Sequence, residues 1–372
     1  MVILEINCLI NKFMIPEKQN IVQFKSLVKS LIYLFMTIIF LVMGLFLLVF
    51  FNSSITAWFQ NSGPDLDSLY VEAEKKVILQ NEMANFWKPT DIKLITDATL
   101  KQEVEYGKDL IAHTAKYLGP NGSVKQITNG MNCNNCHLDA GTKPWGNNYG
   151  SVYSMYPKMR ARSGQVEDLY KRVNDCMERS LNGQPLKRDE KEMKAMIAYI
   201  EYIGSNVPKG KEANASGIYD LEYLDRAADP AKGKALYNAK CASCHQVNGE
   251  GILAADKKEY TYPPLWGKNS YNNGAGLFRI SRFAGYIKYN MPLGATYDNP
   301  QLSDEESWDI AAYVESLDRP SKDLSKDWPN ISKKPVDHPF GPFSDSLTEA
   351  QHKCGPFKPI KDKKKKKEKK QP

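Results

Sequence analysis

Cys133-Asn134-Asn135-Cys136-His137 and Cys241-Ala242-Ser243-Cys244-His245 are two copies of Cys-x-x-Cys-His in a chain of 372 residues. That spacing is what covalent attachment of a c-type haem requires. Two thiols form thioethers to the haem vinyl groups, and the adjacent His reaches the iron from one side. A zinc site would need a second Cys or His pair at a matching distance, and neither copy has one nearby. The His directly after both copies argues against a thioredoxin-like redox pair. The expected cofactors are therefore two covalently bound haem c groups, one on Cys133, Cys136 and His137, the other on Cys241, Cys244 and His245. Four of the seven cysteines are used in this way, leaving Cys8, Cys176 and Cys354, so a disulfide framework is not the plan of the chain.

The sequence around each motif predicts a small helical domain. Ala231 to Ala239 leads directly into Cys241, and Ser303-Asp304-Glu305-Glu306 has the N-cap and acidic first turn of a helix start. From there Trp308, Ala311, Ala312, Val314 and Leu317 form an apolar face at helical spacing, and Met193, Met196, Ile197, Ile200 and Ile203 do the same in the first half. Both final helices carry an Ala-Tyr pair, Ala198-Tyr199 and Ala312-Tyr313, which marks an internal repeat of one haem-binding unit. The fold class expected is mainly α, with two tandem class I cytochrome c-like domains after an N-terminal transmembrane helix.

The repeat also locates the distal iron ligands. Met291, in Asn290-Met291-Pro292-Leu293-Gly294, lies 22 residues before Tyr313, and Cys176 lies 23 residues before Tyr199. Met on such a loop is the usual sixth ligand of a small electron-transfer cytochrome and raises the potential. Cys at the matching slot is unusual, since a thiolate lowers it. A buried free Cys is the bland reading of Cys176, weakened by the register and by the lack of another Met or His in place. Met177 cannot face the same way as Cys176, because a helix turns each residue by about 100°, and it joins an apolar stripe with Val166, Leu169, Tyr170 and Val173. Arg172 and Ser180 stand at i−4 and i+4 from Cys176 and share its side.

At these residues the chain resembles the dihaem thiosulfate dehydrogenases, also called tetrathionate synthases. The resemblance rests on Arg160-Ala161-Arg162-Ser163-Gly164, on Arg172 to Gly183 around Cys176, on both haem motifs and on Asn290 to Gly294. It implies a periplasmic enzyme that joins two thiosulfates into tetrathionate with release of two electrons, or runs the reverse. It also implies that the active haem iron lies between His137 and Cys176, the second between His245 and Met291, with Arg162, Arg172 and Ser180 holding substrate. Some members place Lys before the Met and exchange ligands; Asn290 stands there in this chain, with Lys288 nearby. The competing readings are an anchored dihaem electron carrier without substrate chemistry and a SoxA-type sulfur-oxidation cytochrome.

Leu31 to Phe51 is a run of 21 residues without a charge, long enough to cross a hydrocarbon core of about 30 Å as a helix. Lys12, Lys18, Lys25 and Lys29 precede it and no Lys or Arg follows until Lys75, which orients the N-terminus to the cytoplasm and the rest to the periplasmic side of a bacterial inner membrane. The net charge of +7 does not call for nucleic acid. Lys361 to Lys370 alone contributes +6, as a solvated tail would. The expected partners are thiosulfate or tetrathionate, a small cytochrome c or membrane electron acceptor, and the membrane. The expected organisation is a cytoplasmic stretch 1–30, anchor 31–51, first haem domain 65–205, linker 206–229, second haem domain 230–320 and an irregular Lys-rich tail 321–372.

Overall fold

A computed structural model describes residues 2–50 and 66–368. The last residue of the expected anchor, the expected domain start at 65 and residues 369–372 of the tail lie outside them. The chain divides into two units, one up to Ile78 and one from Leu79 onward.

The first unit holds helix α1 (Val2–Phe50). Its apolar part, Ile21–Leu48, has a mean hydropathy of 2.8 over 28 residues and is a candidate membrane span or signal segment. This stretch begins ten residues before the expected anchor, because Lys25 and Lys29 are too few to break the apolar average. At 1.5 Å per residue it is about 42 Å long, longer than a hydrocarbon core, so its lysine end can reach the headgroups. Helix α2 (Leu66–Ala84) follows.

The second unit is built from two copies of one helix crossing. In the first, α3 (Ala98–Ala112) precedes the Cys133 motif, and α4 (Leu169–Arg179) and α5 (Lys191–Ile203) follow it. In the second, α6 (Pro230–Lys240) runs into the Cys241 motif, and α7 (Ile280–Asn290) and α8 (Asp304–Glu315) complete the unit. Helix α3 packs on α5, and α6 packs on α8. The two crossings match to the atom. A Cβ placed on Gly107 would lie 1.9 Å from the Ala195 carbonyl oxygen and 2.9 Å from Tyr199 Cβ; on Gly233 it would lie 1.9 Å from the Asp309 oxygen and 2.9 Å from Tyr313 Cβ. The helices touch where only glycine fits, so the Tyr of each Ala-Tyr pair marks the contact. Asp97, Asp168, Asp229 and Ser303 cap the starts of α3, α4, α6 and α8 through their side chains, and Ser303 with Glu306 forms a full capping box.

Each crossing has its own core. The first gathers Val104, Leu110, Met177, Met193, Met196 and Tyr199; the second gathers Tyr237, Ile280, Phe283, Trp308, Ile310 and Val314. Met177 is core, but Val166 is not part of its stripe: it lies in a strand and is exposed. Three small antiparallel ladders trim the helices: β1 (Gly146–Asn148) on β4 (Gly217–Ile218), β2 (Lys158–Arg160) on β3 (Gln165–Glu167), and β5 (Ile252–Leu253) on β6 (Tyr260–Tyr262). Strand β4 lies in the segment read as a linker, which is fastened to the domains at both ends: Val207 belongs to the first core, Leu221 and Ala228 to the second. The C-terminal stretch also differs from the irregular tail expected. It contains α9 (Glu349–Cys354) and α10 (Phe357–Glu368), and Phe357 is buried against Trp308. Lysine is a good helix former, and one docked aromatic gives the run a start.

Candidate functional site

Each Cys-x-x-Cys-His motif opens on its own cavity, and the two are nearly equal in size. The first motif is shaped by its two intervening asparagines: Asn135 Oδ1 accepts from the Asn132 N–H at 2.7 Å and Asn134 Oδ1 from the Ala140 N–H at 2.8 Å. His137 Nδ1 lies 2.5 Å from the Asn147 carbonyl oxygen and His245 Nδ1 2.8 Å from that of Pro263. A carbonyl can only accept, so both Nδ1 atoms carry the proton and both Nε2 lone pairs are free to bind iron. Burial pushes His137 down to about 4 and lowers His245, keeping both rings neutral. Free thiols, an oriented imidazole and a large cavity at each motif fit covalently held haem. Among the described residues no group of three or more His, Cys, Asp or Glu side chains is arranged to hold a bare metal ion.

The two cavities differ in the side chains that line them beyond the motifs. In the first, Arg172, Cys176 and Ser180 all line the wall. They lie on successive turns of α4 and its C-cap, and Arg172 Nη1 is 3.1 Å from Cys176 Sγ. The sulfur beside it is the foremost cause that raises Arg172 above its ordinary value, so the guanidinium stays charged despite burial. In the second cavity Met291 caps α7 and lines a wall with Ile287, Leu293 and Leu302.

Arg162 is not brought to the first cavity, contrary to the sequence expectation. Its Nη1 donates to the Gly274 carbonyl at 2.6 Å, its Nη2 lies 3.0 Å from His338 Nε2, and its Nε is 3.6 Å from Asp327. Burial pushes it down to about 10, still charged at neutral pH. The cause is the turn between β2 and β3: alternation along β2 sends Lys158 and Arg160 to the cavity, while Arg162 has already left the ladder. Arg179 is likewise occupied, with both terminal nitrogens on Asp327 at 2.8 and 2.9 Å. Lys288 is tied to the Leu302 carbonyl and to Asp304, both at 2.7 Å, and does not line the second cavity.

Two lining groups escaped sequence reasoning. Lys158 sits two residues before Arg160, a spacing that in a strand means one face. Tyr156 is buried and its hydroxyl has no partner among the described residues, although it lies on the first cavity near Arg172 and Arg160. A buried phenol without an acceptor is what a site for an anionic group would leave behind. His113 is paired with Glu259 at 3.1 Å, and His352 with the Val336 carbonyl at 2.6 Å and Asp345 at 3.1 Å, so neither is a ligand candidate.

Comparison with known proteins places both halves. Residues 123–208 match the model for the SoxA/TsdA cytochrome c domain, and residues 230–318 match that for cytochrome c. A thiosulfate dehydrogenase of Allochromatium vinosum is 38% identical over 231 residues, covering 61% of this chain and 82% of the relative. One of Stutzerimonas stutzeri is 35% identical over 236 residues, covering 63% and 74%. Among solved structures, the thiosulfate dehydrogenase TsdBA of Marichromatium purpuratum superposes with a TM-score of 0.59 at 30% identity, over 64% of this chain and 50% of that one, so the chain spans about half that structure's length. With two cytochrome c domains in this order and relatives matched over most of their length, the chain belongs to the thiosulfate dehydrogenase family.

Proposed function

We propose that this chain is a membrane-anchored dihaem thiosulfate dehydrogenase. In it His137 and the Cys176 sulfur would hold the iron of the haem bound to Cys133 and Cys136, and His245 and Met291 that of the haem bound to Cys241 and Cys244. The observation that carries the reading is the Arg172–Cys176–Ser180 face of α4, which lines the same cavity as the first haem motif. An electron carrier needs neither a thiolate nor a cationic wall there. The haems supply one-electron acceptors when bound, the thiolate-ligated one at lower potential.

The protein's part is to bring two dianions together. Holding them about 6 Å apart costs roughly 3 kcal/mol even in water. Arg172, Arg160 and Lys158 offset that repulsion, with Ser180 and Tyr156 as neutral donors. Arginine suits a tetrahedral oxyanion because its fork gives paired hydrogen bonds and it keeps its proton. The Cys176 thiolate can also carry substrate. One thiosulfate would bond to it through its outer sulfur, the two electrons lost passing to the haems, to give a cysteine S-thiosulfonate; a second thiosulfate would then attack that outer sulfur, forming the central bond of tetrathionate as the bond to Cys176 breaks and the thiolate leaves. The reverse sequence reduces tetrathionate.

In this reading residues 65–205 form the catalytic domain, 230–320 pass electrons to a small cytochrome c or membrane acceptor, and 206–229 connect them. The N-terminal helix holds both on the periplasmic side with its start in the cytoplasm. An anaerobic assay of thiosulfate oxidation and tetrathionate reduction tests the reading, with native protein against Cys176→Gly and haem content fixed by mass spectrometry. Native turnover with two haems and loss of turnover in the variant support it; native protein inert to free thiosulfate would leave the electron carrier or the SoxA-type cytochrome as the better description.

A further inference from the structure

The first haem motif belongs to both domains. Cys136 lines the first cavity and the second, and Asn134, Asn135 and Leu138 also line the second. Cys136 and Leu138 pack against the core of the second domain. Facing them is Tyr286 on α7, buried at 5% exposure, which lines the second cavity and donates its hydroxyl to the Asn135 carbonyl at 2.9 Å. One turn further, Asn290 Nδ2 reaches the Trp145 carbonyl at 3.1 Å, and the next residue is Met291. A single face of α7 is thus bonded twice to the first domain, and its end carries the residue read as the second iron's ligand.

We infer that the Asn135–Cys136 segment, clamped by Tyr286, is the electron bridge between the two haems, with Tyr286 as its positioning residue. The inference rests on the dihaem reading above. Cys136 would be a covalent substituent of the first haem and a wall of the second one's cavity at once, so an electron leaving the first haem reaches the second through a thioether and van der Waals contact, not through solvent. The balance is one electron: the first iron goes from ferrous to ferric, the second from ferric to ferrous, and no bond or proton is exchanged. The tyrosine's part is distance. Its ring is buried and its hydroxyl donates to the Asn135 carbonyl, so breaking that bond frees the motif to draw back from α7.

The test uses full-length holoprotein and reads electron equilibration between the haems after rapid one-electron injection by a pulsed reductant, with both midpoint potentials and both haem spectra recorded. In Tyr286→Phe the potentials and spectra should hold while equilibration slows severalfold, because the unclamped motif spends part of its time drawn back from α7. In Cys136→Ser, where the first haem keeps its Cys133 thioether and His137, equilibration should slow further. Native rates in both variants, or slowing fully accounted for by changed potentials, would overturn the bridge. Failure of the underlying reading looks different: native protein with fewer than two haems, or a first haem that thiosulfate does not reduce.

Discussion

The two haem cavities share a frame and differ in one wall. Both sit beside a helix crossing closed by a Gly-Tyr contact, Gly107 with Tyr199 and Gly233 with Tyr313, and both hold an imidazole through a carbonyl on Nδ1. They are nearly equal in volume. The segment between motif and last helix sets them apart. In the first domain it carries β2 with Lys158 and Arg160, and α4 with Arg172 and Cys176; in the second, α7 ending in Met291 among apolar side chains. Lys240, the cation on the second cavity, is paired with Glu306 at 2.7 Å. The crossing frames a cavity of either kind, and the segment between motif and last helix decides whether its wall is cationic or apolar.

The largest test exchanges the distal sulfur. On the proposed ligation, Cys176→Met gives the first cavity the second one's ligand while leaving its cations, and thiosulfate oxidation should fall by about three orders of magnitude, as loss of a covalent participant does. Potentiometry should show the first haem rising toward the second. The converse, Met291→Cys, should lower the second potential and create no thiosulfate oxidation. Activity surviving in Cys176→Met would make the cations sufficient and the comparison wrong.

The shared frame can be broken next. Gly107→Ala and Gly233→Ala each drive a methyl to within 1.9 Å of a backbone oxygen, which the crossing can relieve only by opening. Each should cost about 3 kcal/mol, seen as a melting temperature lower by roughly 10 °C in the holoprotein. A large loss at one glycine and none at the other would mean that the two crossings are not equivalent.

At the ends of the last helices the repeat diverges again. Glu201 and Glu315 each stand two residues after the tyrosine of the repeat, yet Glu201 is exposed and Glu315 is buried. Burial pushes the Glu315 carboxyl from its ordinary 4.5 up to about 7, against the pull of Arg319 and the Tyr271 hydroxyl 2.8 Å away. A raised acid holds its proton longer folded than unfolded, so its contribution is complete below about pH 4.5 and is lost as pH rises through about 7. Glu315→Gln should therefore match native stability near pH 5 and exceed it at pH 8, by up to about 3 kcal/mol. Chemical denaturation at the two pH values measures this; Glu201→Gln should change little, because solvent screens it.

Much of the frame was legible in sequence. The haem motifs, the Ser303 cap and the Ala-Tyr register each follow from local chemistry, and the register placed Cys176 and Met291 on their cavities. The glycines of the crossings were missed although both open a Gly-Lys-x-Leu stretch, Gly107 to Leu110 and Gly233 to Leu236, because a close approach needs a partner helix to be noticed. Arg162 was misplaced for a related reason. Its partners Gly274, Asp327 and His338 are more than a hundred residues away in sequence, and nothing local distinguishes it from Arg160. Residues 327–338 wrap back onto the first domain through those contacts and through Trp328 N–H on the Arg162 carbonyl at 2.6 Å. Long-range polar contacts leave no periodicity to read.

The smallest effect separates the cations of the two cavities. Arg160 lines the first cavity and its nearest acid is Glu167, with Nε 3.8 Å away, too far for a hydrogen bond, so its fork remains available to an oxyanion. Lys240 on the second cavity is spent on Glu306. Arg160→Ala should raise the KM for thiosulfate by about tenfold, the worth of one charge-assisted contact near 1.4 kcal/mol, with a smaller change in kcat. Lys240→Ala should leave both constants alone. Steady-state kinetics at low and high ionic strength sharpens the contrast, because added salt should shrink the Arg160 effect by screening a partly exposed charge. If Lys240→Ala raised KM as much as Arg160→Ala, the anion would be drawn by the net field of the unit, and the wall beside Cys176 would lose its claim to specificity.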